Sequence, residues 1–284
     1  MKRLSPYIFI LFLLSLSSCT EIIDIDLPTA EPRLVVEANL DFERVPATDT
    51  VIPAYVKLSL TTDYFNPEIP PVNKAVVWVE DPTGTKFPFL ELGTTGIYYS
   101  TEIEKPTDGA VFKLHIEYDN DIYEAKEQYI SSPEILEITQ KREKYFNKDY
   151  YVLRVYYQDT PRVNENLNYY YLHYQYEKKA PQPRVVSNEF SIGNRMESLY
   201  IVDEDAKPGE KVEIELAQIS RNYYDFAMSF FDAISNGGGP FQVPSGRIIG
   251  NVKNITTPEK EALGYFRIIE KQKTTHTIFE QAKP

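Results

Sequence analysis

In the segment AVFKLHIEY, residues 110–118, Phe112, Leu114, Ile116 and Tyr118 alternate with Val111, Lys113, His115 and Glu117. A period of two gives a strand one buried face and one wet face, and no helix can satisfy it. The same alternation marks RLVVEANL (33–40), YVKLSL (55–60), AVVWVE (75–80), TKFPFLEL (85–92), GIYYS (96–100) and IYEAKEQYI (122–130). Asp81-Pro82-Thr83-Gly84 and Asp119-Asn120-Asp121 supply turn residues between neighbours. Seven short strands joined by turns predict an antiparallel β-sandwich of immunoglobulin or transthyretin type over residues 33–131.

After Ser131-Ser132-Pro133 a second β-rich domain is expected over 132–284. Its strand candidates are EILEITQKR (134–142), YYVLRVYY (150–157), YYYLHYQY (169–176), ESLYIV (197–202), EKVEIELAQI (210–219), IIGNVKNI (248–255) and LGYFRIIEK (263–271). The 22 tyrosines and 15 phenylalanines favour strands generally. One helix interrupts them at about 221–235. Ser220 can cap it, Tyr223, Phe226, Ala227, Phe230 and Ile234 recur on one side, and Gly237 to Gly239 stop it. The fold class is therefore mainly β, two antiparallel sandwich-like domains with one helix in the second.

The N-terminus predicts where such a chain resides. Lys2 and Arg3 precede an apolar run from Tyr7 to Leu16, too short to span about 30 Å of hydrocarbon. Leu16-Ser17-Ser18-Cys19 follows, and Cys19 is the only cysteine. The order resembles the lipobox of bacterial lipoproteins. It implies a signal peptide over 1–18, an acyl anchor on Cys19 and an acidic tether over 19–32 carrying Glu21, Asp24, Asp26, Pro28 and Pro32. The competing account is an ordinary secretory signal with an incidental cysteine, or a buried free thiol. Acids just behind the cysteine resemble surface-export signals of Bacteroidota lipoproteins, so the expected location is the outer membrane, at the cell surface. Thirty Lys plus Arg against 42 Asp plus Glu leave a net charge of −12, which argues against a nucleic-acid partner.

No arrangement predicts catalysis. His115, His173 and His276 do not fall at metal-ligand spacing, and HExxH, CxxC and GxSxG do not occur. Asp203-Glu204-Asp205 suits either calcium or plain solvation, and no pair among the acids stands out for glycoside hydrolysis. No cofactor and no enzymatic activity are expected. The tyrosines of YYVLRVYY and YYYLHYQY fall on both strand faces. One face packs, and the other either packs too or presents rings to a sugar or a protein. Gly237-Gly238-Gly239-Pro240-Phe241 either ends the helix or offers a partner-binding loop, with Phe241 docking outward or folding back onto the sandwich.

RLVVEA (33–38), the AVVWVEDPTG turn, GIYYS and the late run with NYYDF, Gly-Pro-Phe-x-x-Pro (239–244), Gly250-Asn251-Val252 and Leu263-Gly264-Tyr265-Phe266 resemble a Bacteroidota lipoprotein family, domain-of-unknown-function family 4249. The resemblance covers nearly the whole chain beyond the signal. It implies an outer-membrane lipoprotein with a TonB-dependent transporter or another outer-membrane assembly as partner, and it brings no catalytic residues. Two functions follow from these readings. One is a non-enzymatic accessory or cargo-binding lipoprotein. The other is a carbohydrate- or peptide-active surface protein, which would show acids converging in a deep cleft beside the tyrosine strands.

Overall fold

The computed structural model of the protein describes residues 31–44, 53–63, 66–160, 162, 167–236 and 248–281. Cys19 and the expected docking residues Gly237, Gly238, Gly239, Pro240 and Phe241 lie outside these. In the first half run β1 (Leu34–Glu43), β2 (Ala54–Leu60), β3 (Val76–Glu80), β4 (Lys86–Glu91), β5 (Ile97–Ser100), β6 (Val111–Tyr118) and β7 (Asp121–Gln128). In the second run β8 (Ile135–Tyr145), β9 (Lys148–Gln158), β10 (Tyr169–Tyr176), β11 (Gln182–Ser187), β12 (Arg195–Ile201), β13 (Lys211–Ile219), helix α1 (Arg221–Asn236), β14 (Lys253–Asn254) and β15 (Leu263–Thr277). The class is mainly β and sandwich-like, as the alternation predicts.

Twelve strands join in one sheet, ordered β11-β10-β13-β15-β1-β2-β5-β4-β3-β6-β7-β14, and β12-β9-β8 form a second. Among the described residues pairing is antiparallel with one departure: β1 lies parallel to β15, from Val35 beside Leu263 to Glu43 beside Lys271. The alternation in β1 sends Leu34, Val36, Ala38 and Leu40 inward, where they meet Val56 and Leu58 of β2, Leu114 and Ile116 of β6, and Phe266 and Ile268 of β15. A second cluster lies between the two sheets, built from Leu153, Tyr157, Tyr174, Tyr200, Ile214 and Leu216 among others. Its tyrosines bury their rings against one another, Tyr174 stacking on Tyr200 at 4.6 Å. So the inward tyrosines of β9 and β10 are packing residues.

Three segments differ from the sequence expectation. Of 248–255 only Lys253–Asn254 pairs as strand, because Asn251 spends its side chain on the backbone of Phe266. β15 continues to Thr277 through the polar stretch KQKTTHT, since β13 pairs with it from Gln272 to Thr277 where the pairing with β1 ends at Lys271. β11, with Pro183 and no alternation, is an edge strand, where the missing N–H of proline is tolerated.

Candidate site beneath the helix

Helix α1 starts as predicted: Ser220 Oγ accepts from the Tyr223 N–H at 3.1 Å. The same hydroxyl donates to Glu127 Oε2 at 3.1 Å, which also accepts from the Tyr265 hydroxyl at 2.6 Å. Glu127 is thus a buried carboxyl beside the positive end of the helix. Burial still dominates and pushes its pKa above the usual carboxylate value. Tyr223 and Tyr224 pack on Tyr169, Ala217, Ile219 and Ile269, the outward residues of β10, β13 and β15. Tyr223 and Phe226 both meet the Tyr265 ring, at 5.1 and 4.8 Å. Among the described residues of α1 only Ala227 is buried. The second half of the helix loses this support. Phe230 and Ile234, expected to hold it down, are 42% and 63% exposed.

Under that unsupported half lies a cavity of about 1070 Å³. Phe226, Phe230 and Phe231 form one wall, and Val35, Leu263 and Tyr265 of the outer sheet face form the other. Arg267 lies at the base, 9% exposed. Its Nη2 grips both carboxylate oxygens of Asp41, at 2.8 and 2.9 Å, and its Nη1 donates to the Tyr223 hydroxyl at 2.8 Å. Burial alone would raise the Asp41 carboxyl, but Arg267 and Lys271 outweigh it and hold the pKa below the ordinary value. Burial likewise opposes the Arg267 charge, and Asp41 more than restores it. Lys271 bridges Asp41 and Glu215 at 2.7 and 3.1 Å, so the base of the site is a compensated ion network.

Two of the sequence segments quoted for the family resemblance meet here. Asn251 Nδ2 donates to the Phe266 carbonyl and its Oδ1 accepts from the Phe266 N–H, both at 2.8 Å, so one side chain completes a strand's hydrogen bonds. A Cβ on Gly250 would stand 1.7 Å from the Gly264 carbonyl oxygen. Gly264 has φ +94°, and a Cβ there would stand 2.0 Å from the Val36 carbonyl oxygen. These residues bring β15 against both β1 and the 250–252 segment beside the cavity.

The other sequence candidates are separate. His115 stacks on Trp78 at 3.7 Å, His173 stands 3.8 Å from Glu215, and His276 contacts Gln140 at 3.0 Å. Asp203 and Glu204 are held by Lys179 and Lys148. Among the described residues no group of three or more His, Cys, Asp or Glu has metal-binding geometry, and no helix is long and apolar enough to cross a membrane. Sequence reasoning missed Arg267, Asp41 and Glu127. The available signal was a charge inside an apolar run, as in YFRII.

Fold and site together define a mainly β, sandwich-like protein with an aromatic cavity beneath its helix. The family described as "Domain of unknown function (DUF4249)" matches residues 20–275, and the chain belongs to it. No curated protein matches the sequence. Among solved structures, similar chains include a cytokine receptor complex at 8% identity and TM-score 0.24, over 66% of this chain and 86% of that one. A DUF4785 family protein from Legionella pneumophila shares 13% identity at TM-score 0.23, over 65% of this chain and 51% of that one. The chicken interferon gamma receptor alpha chain shares 11% identity at TM-score 0.20, over 66% of this chain and 90% of that one. Likenesses of this size carry no argument about function.

Proposed function

We propose that the protein is a membrane-anchored binding module: a lipoprotein held by Cys19 at the outer-membrane surface that serves a TonB-dependent transporter or another outer-membrane assembly as an accessory or cargo-binding partner, without catalysis. The observation that carries the binding role is the cavity beneath α1. Its volume reaches the upper end of the roughly 300–1,000 Å³ typical of small-molecule sites, and aromatic rings line it. The carboxylates in and around it are already engaged: Asp41 by Arg267 and Lys271, Glu37 by Lys57 at 2.7 Å, Glu127 by Tyr265 and Ser220, and Glu261 as well. Such groups position a scaffold and are poor candidates for a free acid–base pair. The lipobox-like Leu16-Ser17-Ser18-Cys19 supports the anchor, and the acids behind it support surface display. Docking through Gly237, Gly238, Gly239, Pro240 and Phe241 belongs to the same proposal.

The anchor is tested with Cys19→Ala. The wild type should take up labelled palmitate, sediment with membranes and be shaved from intact cells by protease. The variant should lose label and membrane association. A variant that keeps both overturns the anchor. The partner is tested by purification from native membranes, where an outer-membrane transporter or assembly protein should accompany the wild type; recovery of the chain alone contradicts that part.

A further inference from the structure

The cavity beneath α1 differs between its walls, its base and its mouth. The walls are apolar and aromatic, Phe226, Phe230 and Phe231 standing against Val35 and Leu263. Its buried cation, Arg267, is already neutralised by Asp41. At the mouth stands Arg33, exposed and, among the described residues, without an ion-pair partner for its guanidinium. Of the two carboxylates at the same edge, Glu37 is taken by Lys57 and Glu261 is engaged as well. The site therefore offers an apolar slot with one uncommitted positive charge at its entrance.

We propose that this cavity binds a single-chain anionic amphiphile, a long-chain fatty acid, with its tail between α1 and the outer face of β1 and β15 and its carboxylate on Arg33. The proposal deepens the binding role given above and rests on it. The chemistry chooses the ligand in two ways. A flexible chain fills a slot walled by rings without needing polar partners that the walls do not supply. A guanidinium at the mouth pairs with a carboxylate through two parallel N–H donors, and it would gain nothing from a neutral head. Phe230, 42% exposed on the helix, is the ring that such a tail would cover.

The test uses the chain from Cys19 onward with Cys19→Ser, so that no covalent acyl group competes, and titrates it calorimetrically with decanoate, dodecanoate and dodecanol below their aggregation limits. Dodecanoate should bind at one per chain. Decanoate should bind more weakly by roughly fourfold for each methylene removed, as apolar burial requires. Arg33→Ala should weaken dodecanoate about tenfold and leave dodecanol unchanged. Val35→Trp, on the outer face where Val36 and the core are not disturbed, should abolish both with the melting temperature retained. Absence of dodecanoate binding, binding that survives Val35→Trp, or an Arg33→Ala variant equal to wild type would each overturn the proposal. If dodecanoate fails while protein from native membranes carries another small molecule that Val35→Trp lacks, the fatty-acid assignment falls and the binding module stands.

Discussion

Asp159, 1% exposed, accepts hydrogen bonds from Asn168 Nδ2 at 2.7 Å, Asn188 Nδ2 at 2.9 Å, the Gly193 N–H at 2.6 Å and the Tyr170 hydroxyl. One carboxylate thereby ties the end of β9 to the approach to β10 and the β11–β12 loop. Burial works to raise its pKa, and the donors, led by Asn168 and Tyr170, bring it below the ordinary value. Because the folded value is depressed, its contribution is full above the unfolded value of about 3.9 and is lost as pH falls through the folded one. Asp159→Asn turns an amide donor toward donors and should cost about 3 kcal/mol in urea unfolding at pH 7. The cost should shrink as pH falls below about 4, where the unfolded chain takes up the proton that the folded carboxylate still resists, and be smallest below the folded value. A pH-independent difference would show that the charge is not what holds these loops. The sequence did not announce Asp159: its partners come from two later segments, and no local pattern joins them.

At the scale of elements, strands were legible because alternation is local, while their partners were not. Val36 and Phe266 can be assigned to buried faces from the sequence, but nothing in either segment says that β1 runs parallel to β15. Glycine carries that information. At Gly264 the chain has φ +94° and passes so close to Val36 that a Cβ would stand 2.0 Å from its carbonyl oxygen. Gly264→Ala should lower stability by at least about 2 kcal/mol, through strain at positive φ and loss of the close approach. A thermal melt checks it, and a variant within about 0.5 kcal/mol of wild type would mean the backbones separate at little cost. The helix was legible for a different reason. Its cap and its 3.6-residue period both lie in its own sequence. Which apolar residues it buries was not legible, since Phe230 and Ile234 carry the same periodic signal as Tyr223 and Phe226 yet project beyond the supporting strands.

For the whole molecule, Ser131-Ser132-Pro133 lies in sequence between the residues of the two larger hydrophobic clusters, one drawn mostly from β1–β7 and one from β9, β10, β12 and β13. β15 belongs to both halves. Its Phe266 and Ile268 enter the first cluster, and its later residues pair with β13. Other ties cross the same line: Ser132 N–H donates to the buried Glu270 at 2.9 Å, and Lys105 pairs with that carboxylate. A fragment Arg33–Ile130 lacks these and leaves the β15 edge of β1 unpaired. It should show β-rich circular dichroism without a cooperative melt, and a sharp transition close to that of the full chain would show that the first half is self-sufficient. The cavity belongs to this scale too. It exists because one helix from the second half rests on β10 and β15 and stands off β1, which explains why no single motif marked it. The account stands most directly on native mass spectrometry of the protein released from native membranes, wild type beside Val35→Trp. The wild type should carry a non-covalent adduct that the variant lacks, with both otherwise intact. Identical spectra, with no adduct in either, would contradict a module that works by holding a molecule beneath α1.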